Sequence, residues 1–478
     1  MIEKQKLTWV YLISALFILL NTVLVIKEFY YLSFLIPIGL TIVLLYLFAL
    51  DKLILLVVFL TPIAVNVRNL DLGVGISLPT EPLLFGVLVL FLFKMLREGK
   101  YDPRVLKHPV SIAIILNLVW IFFTSLTSEL PLVSGKFFIA RLWFVIPMYF
   151  IGIQLFRKYK NIELFSWLYI IPLMGVIAYT IYNHAHFGFE EEAGHWVMTP
   201  FFNDHTAYGA ILAFFIPVFV GFTFNKVHSR TIRLASFFVT VVLIIALILS
   251  FSRAAWISLA VAFMFYLILL FRIKIRWIMI VLAVLVGIFF SFKWEILDTL
   301  EKNKQDSSAD FVEHVQSIAN ISSDASNLER INRWQSAIRM FHEKPIFGWG
   351  PGTYQFFYAP FQRSKEKTII STNFGDLGNA HSEYIGPLAE SGLFGMISML
   401  AIVFAAIWTG MRVFKRSENK EIKLLALVTM LALVSYFSHG VLNNFLDSDK
   451  ASIPVWGFIA ILVALDVYFS EKAPSTSD

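Results

Sequence analysis

Apolar blocks about twenty residues long follow one another along almost the whole chain, and nothing else constrains its fold as strongly. A helix needs about 20 mostly apolar residues to cross the hydrocarbon core of a bilayer. The blocks predict spans near 7–26, 30–50, 53–67, 80–96, 109–127, 137–156, 162–183, 206–224, 234–250, 255–271, 277–293, 386–411, 424–441 and 452–469. Apolar residues are 58% of the chain and charged ones 15%, whereas a soluble domain carries roughly 25% charged residues. A water-soluble globule is therefore excluded. The expected fold class is an all-α polytopic membrane protein, with fourteen transmembrane helices and one long outer loop containing short helices. The span at 53–67 is the least regular, being short and holding Pro62. The first block follows Lys4 and Lys6 and has no small-x-small cleavage site, so it reads as a retained span.

Lys and Arg near the span ends set the orientation. With the N-terminus inside, 23 of the 39 fall on the inner side. Ten lie in the long stretch from Lys293 onward, which translocates largely regardless of charge. The remaining six are Lys27, Arg68, Lys136, Arg141, Arg253 and Lys450. Both termini are thus expected in the cytoplasm. The expected organisation is N-terminal spans in 1–135, core spans in 136–293, a large outer loop in 294–385, C-terminal spans in 386–470, and a cytoplasmic tail in 471–478.

The loop begins with a polar stretch expected to be loosely ordered and becomes more regular toward its end. Ile331, Trp334, Ile338 and Phe341 recur at helical spacing, predicting an amphipathic helix over 330–342. Pro345, Gly348, Gly350, Pro351 and Gly352 then force a tight turn. Arg339 and Lys344 read as a solvated helix face.

Several polar residues sit where polarity is costly. Arg253, in SFSRAAW, lies at the outer membrane edge against the charge bias. It is either a snorkelling side chain or a functional cation. Arg330 and Arg333 form a basic pair on the loop helix, and two guanidinium groups suit the oxygens of a diphosphate. Lys136 and Arg141 open the sixth span, as interfacial anchors or as further positive charge for the same site. His381, in NAHSEY, lies where the loop enters the twelfth span. It is either a hydrogen-bonded interfacial residue or a proton acceptor working near neutral pH.

Other constellations carry less. His184, His186, His195 and His205 stand near Glu190, Glu191, Glu192 and Asp204, but at no tight zinc spacing. Asp447-Ser448-Asp449 reads as a solvated turn. There is no cysteine, hence no thiolate chemistry. No phosphate-cradling glycine loop appears, nor any sign of a nucleic-acid site.

SFSRAAW, ERINRWQSAIRMFHEKPIFGWGPGTY and NAHSEYIGPLAESGLFG, in this order around a long outer loop, resemble the O-antigen ligase and polymerase superfamily. TPFFNDHTAYGAILAFFIPV resembles the family's stretch ahead of that core. The resemblance covers about 200–460. It implies a glycosyltransferase of the bacterial inner membrane, working on the outer face without metal or cofactor and inverting the anomeric centre. The implied donor is a glycan on undecaprenyl diphosphate, presented among membrane lipids. The implied acceptor is a lipid A core sugar, another lipid-linked glycan or a protein hydroxyl. Arg253 would contact the diphosphate and His381 would be catalytic, with Arg330 and Arg333 as further matches. A lipid-linked glycan flippase is the alternative from another class, although such transporters often show repeated halves and none is visible here.

Overall fold

In a computed structural model of the chain, the described residues are 2–67, 75–99, 101–274, 325–367, 371 and 378–469, with isolated positions between 276 and 291. The expected span 277–293 is described only at those positions. The loop start 294–324 and the tail 471–478 lie outside the described residues.

The main helices are α1 (Ile2–Ile26), α2 (Tyr30–Phe48), α3 (Leu50–Leu60), α4 (Thr80–Glu98), α5 (Pro109–Leu126), α6 (Pro131–Leu155), α7 (Lys160–His186), α8 (His205–Phe224), α9 (Arg230–Leu249), α10 (Arg253–Leu270), α11 (Ala325–Glu343), α12 (Ile385–Arg416), α13 (Lys420–His439) and α14 (Asp449–Phe469). Among the described residues ten are long and apolar enough to cross a membrane: α2, α5 to α10 and α12 to α14. Each coincides with a block read from the sequence. In α1 the apolar part is confined to Ser14–Ile26. In α4, Glu81, Lys94, Arg97 and Glu98 crowd the two ends.

The expected span 53–67 is not one helix. α3 stops at Leu60, a single 3-10 turn follows over Thr61–Ile63, and the chain turns into a short strand. Eleven residues rise only about 16 Å, well short of a bilayer core. Pro62 supplies part of the reason, having no N–H to continue the ladder. Its strand, β1 (Val65–Val67), pairs antiparallel with β2 (Ile76–Leu78), Asn66 opposite Ser77. The carbonyls freed by the break find a distant partner. Lys450 Nζ donates to the carbonyls of Thr61 at 2.5 Å, Ala64 at 2.6 Å and Pro62 at 3.4 Å.

The chain forms two compact units, 1–56 and 57–478. In the first, α1 and α2 pack together and Ser33 Oγ donates to Asn21 Oδ1. In the second, α8 packs on α9, α10 and α13, while α14 is buried from Asp449 to Leu465. A helix apolar on every side belongs inside. Aromatic pairs such as Phe214–Phe458, with ring centroids 4.6 Å apart, fill the seam between α8 and α14.

α12 is broken at Gly392, whose φ is +67°. The break frees backbone groups that the glycine-rich turn then takes up. Leu393 N–H donates to Pro345 O, while Trp349 N–H and Gly350 N–H donate to the carbonyls of Ala389 and Glu390. A Cβ at Gly392 would lie 2.0 Å from the Ile346 carbonyl oxygen. Glycine is thus required by conformation and by space.

α11 bears out the expected loop helix, but a different face is buried. Ile331, Trp334, Ile338 and Phe341 are only half-buried, whereas Glu329, Asn332, Arg333, Ser336, Ala337 and Met340 are buried. The polar members of that stripe satisfy one another. Arg333 Nε donates to Glu329 Oε1 at 2.8 Å, and Asn332 Nδ2 donates to Gln362 Oε1 at 2.8 Å. Buried polar groups are tolerated when so paired. Arg339 and Lys344 are not simply solvated either. Arg339 bonds the Phe361 carbonyl and Glu366, and Lys344 pairs with Glu129.

Candidate active site

The segment 378–384 is held from several sides. Ser382 Oγ accepts the N–H groups of Tyr384 and Ile385, opening α12. Tyr384 Oη donates to the Phe437 carbonyl at 2.8 Å. Glu383 N–H donates to the Gly440 carbonyl. Its carboxylate oxygen Oε1 accepts Tyr436 Oη at 2.9 Å and the N–H groups of Phe445 and Leu446 at 2.7 and 2.9 Å. The turn therefore cannot move without α13 and the loop after it.

At its centre His381 adopts φ +48°, a left-handed conformation uncommon outside glycine. Its N–H donates to Asn379 Oδ1. Among the described residues its ring makes no hydrogen bond and is half-buried. Burial, followed by the charges of Arg330 and Arg333, lowers the imidazole pKa to about 4, against Glu329 and Asp204. The ring is therefore neutral at physiological pH, in the form that accepts a proton.

Arg330 is tied to the turn after α13 through Nε to the Leu442 carbonyl, at 3.2 Å. Arg333 is buried, its guanidinium 4.7 Å above the Tyr358 ring and its Nη1 on the Asn379 carbonyl. It braces the turn that carries His381. Arg253 opens α10 two residues after Phe251, whose φ is +49°, with Ser252 between them as the cap. The charges of both Arg253 and Arg330 act on His205, the first residue of α8, whose ring stacks on His195 at 4.2 Å. Asp204 caps α8 through Oδ1, which accepts the N–H groups of Thr206 and Ala207. The helix starts of α8 and α10, the loop helix α11 and the His381 turn thus share one electrostatic field.

Arg141 and Lys136 are placed differently. Arg141 bonds Asp447 Oδ1 at 3.1 Å. It lines a cavity of about 540 Å³ together with Asp204, Asn379, Ala380, Ser382 and Glu383. Lys136 is exposed on α6 and is not among the lining residues. Asp447-Ser448-Asp449 is not a solvated turn as a whole. Asp447 is exposed, but Asp449 is buried and accepts Thr80 Oγ1 at 2.6 Å.

Glu329 and Glu383 were not singled out by the sequence as partners. Glu329 carried a signal, being four residues before Arg333 on a helix. Glu383 carried none, since its donors lie 53 to 63 residues away.

Fold and site together define a largely helical membrane protein with a histidine turn beside Arg330 and Arg333. Residues 238–400 match the family model for O-antigen ligase. That stretch is similar to the O-antigen ligase family, and it holds Arg253, Arg330, Arg333 and His381. An uncharacterised protein of Haemophilus influenzae is 24% identical over 249 residues, which is 51% of this chain and 59% of that relative. The chain thus spans less than two thirds of that relative's length.

Proposed function

We propose that this membrane enzyme of the O-antigen ligase and polymerase type transfers a glycan from undecaprenyl diphosphate to an acceptor hydroxyl on the outer face of the inner membrane. What supports this reading is the match of residues 238–400 to the O-antigen ligase family model, together with the contact of Arg333 Nη1 on the Asn379 carbonyl, two residues before His381. A polyprenyl diphosphate is a good leaving group whose departure develops negative charge. Arg253 and Arg330 supply fixed positive charge where that charge grows. His381 accepts the proton of the acceptor hydroxyl while its oxygen attacks the anomeric carbon. The bond from that carbon to the diphosphate oxygen breaks, and the electron pair leaves with the diphosphate. One in-line displacement inverts the anomeric centre, and no step requires a metal.

Donor binding also prepares the base. Arg330 and Arg333 hold the imidazole pKa down. A bound diphosphate offsets those charges and raises the pKa toward its ordinary value, strengthening the base. Deleting the gene and resolving the surface glycans on a gel tests the function. Loss of all polymer on the lipid core identifies a ligase, and single repeat units remaining on the core identify a polymerase. Unchanged glycans contradict both.

A further inference from the structure

The cavity of about 540 Å³ beside the His381 turn has a chemistry of its own, unlike that of the arginine cluster. Glu81, Asp204, Glu383, Glu390 and Asp447 line it, with Arg141 as a cationic neighbour already paired to Asp447. Amides stand between the carboxylates: Asn66, Asn203, Asn379, Asn444 and Gln355. The carbonyl oxygens of Asn66 and Asn444 are buried and accept no hydrogen bond. An unsatisfied buried acceptor is costly unless a ligand or water meets it. Phe137, Tyr354 and Phe445 add apolar ring surface.

Acceptors in excess of donors, with ring faces beside them, fit a molecule dense in hydroxyl donors and carrying apolar C–H faces. That is a saccharide. The same lining offers an anion no uncommitted cation among the described residues, because its one arginine, Arg141, is already paired to Asp447. Asn379, Ala380 and Ser382 belong to the wall and bracket His381 in sequence. The wall thus includes the chain on both sides of the proposed base.

We infer that this cavity is the acceptor-side saccharide subsite, and that it takes neutral or amino sugars and discriminates against uronic acids and phosphorylated sugars. The inference rests on the transferase reading for the word acceptor, while the binding preference stands without it. It makes Asp447 a specificity-determining residue, because its pairing keeps Arg141 from an anionic sugar. An anion entering this partly dry site would lose its hydration without gaining a counter-charge.

The test is direct binding to the purified full chain in lipid nanodiscs, read by saturation-transfer NMR. The probes are a panel of neutral trisaccharides, chitotriose among them, and trigalacturonate. At least one neutral trisaccharide should bind at millimolar concentration, and trigalacturonate should bind at least about tenfold more weakly. Asp447→Asn, which releases Arg141, should narrow that ratio to within about threefold. Val133→Trp, filling the cavity from α6, should remove trisaccharide binding while binding of undecaprenyl diphosphate, the control for folding, persists. Equal binding of the uronate, no binding of any neutral probe, or unchanged binding in the Trp variant overturns the subsite. The two readings fail separately. Selective sugar binding by a protein with no transfer activity keeps the subsite and removes the transferase. Transfer that survives Val133→Trp with unchanged acceptor KM does the reverse.

Discussion

His381 combines a strained backbone, a half-buried ring and two nearby arginines. Its pKa of about 4 has a kinetic consequence with a definite sign. The base form is lost as pH falls through the pKa. The kcat/KM profile, which reports the free enzyme, should be flat from pH 8 down to about 5 and fall near 4. The kcat profile, which reports the donor complex, should break at higher pH because the diphosphate offsets Arg330 and Arg333. Coincident limbs in the two profiles would show that the arginines do not act on the ring. Arg253 lends itself to a second residue-scale prediction. Losing a charge-assisted contact costs about 1.5–3 kcal/mol. Arg253→Ala should therefore reduce turnover about tenfold to a hundredfold at normal protein abundance. Arg253→Lys should recover only part, lacking the planar fork. Full activity in the Ala variant removes Arg253 from the site.

At the scale of elements, two breaks shape this protein, and each depends on one residue. Lys450→Met should leave the carbonyls of Thr61, Pro62 and Ala64 without their donor. Each unsatisfied buried group costs about 1–3 kcal/mol, so the melting temperature of the purified protein should fall clearly. An unchanged melting curve would mean that water already satisfies those carbonyls. Gly392→Ala forces a side chain into a left-handed backbone against the Ile346 carbonyl. It should cost at least about 1–3 kcal/mol, and protease sensitivity should rise in the turn 345–352. The sequence revealed the helices because apolar periodicity is local. It misplaced 53–67 because the donor that rescues the break lies 389 residues from Thr61. For the same reason Asp449 passed for a solvated residue, its partner Thr80 being 369 residues away. In α11 the apolar row was visible, but burial followed the polar stripe, whose pairing with Gln362 cannot be read from spacing alone. The residues of the candidate site were easier, because Arg253 and His381 stand out against their apolar surroundings. Lys136 stood out in the same way, yet it lies on an exposed face.

At the scale of the whole molecule, the bias of positive charge predicts both termini inside and the loop that carries α11 outside. The chain has no cysteine, so Ser364→Cys introduces a single thiol at an exposed loop position. A membrane-impermeant maleimide should label it in cells whose outer membrane alone is permeabilised. Labelling only after the inner membrane is broken would reverse the topology and place the arginines and His381 on the wrong side for a lipid-linked donor. The most direct measurement is transfer by the purified protein from an undecaprenyl diphosphate-linked glycan, normalised to donor bound, in the parent and in His381→Gln. General-base help is worth about 10²- to 10⁴-fold, so the Gln variant should bind donor as the parent does and transfer slower by that factor. Transfer at the parent rate by the Gln variant would contradict His381 as the group that takes the acceptor proton.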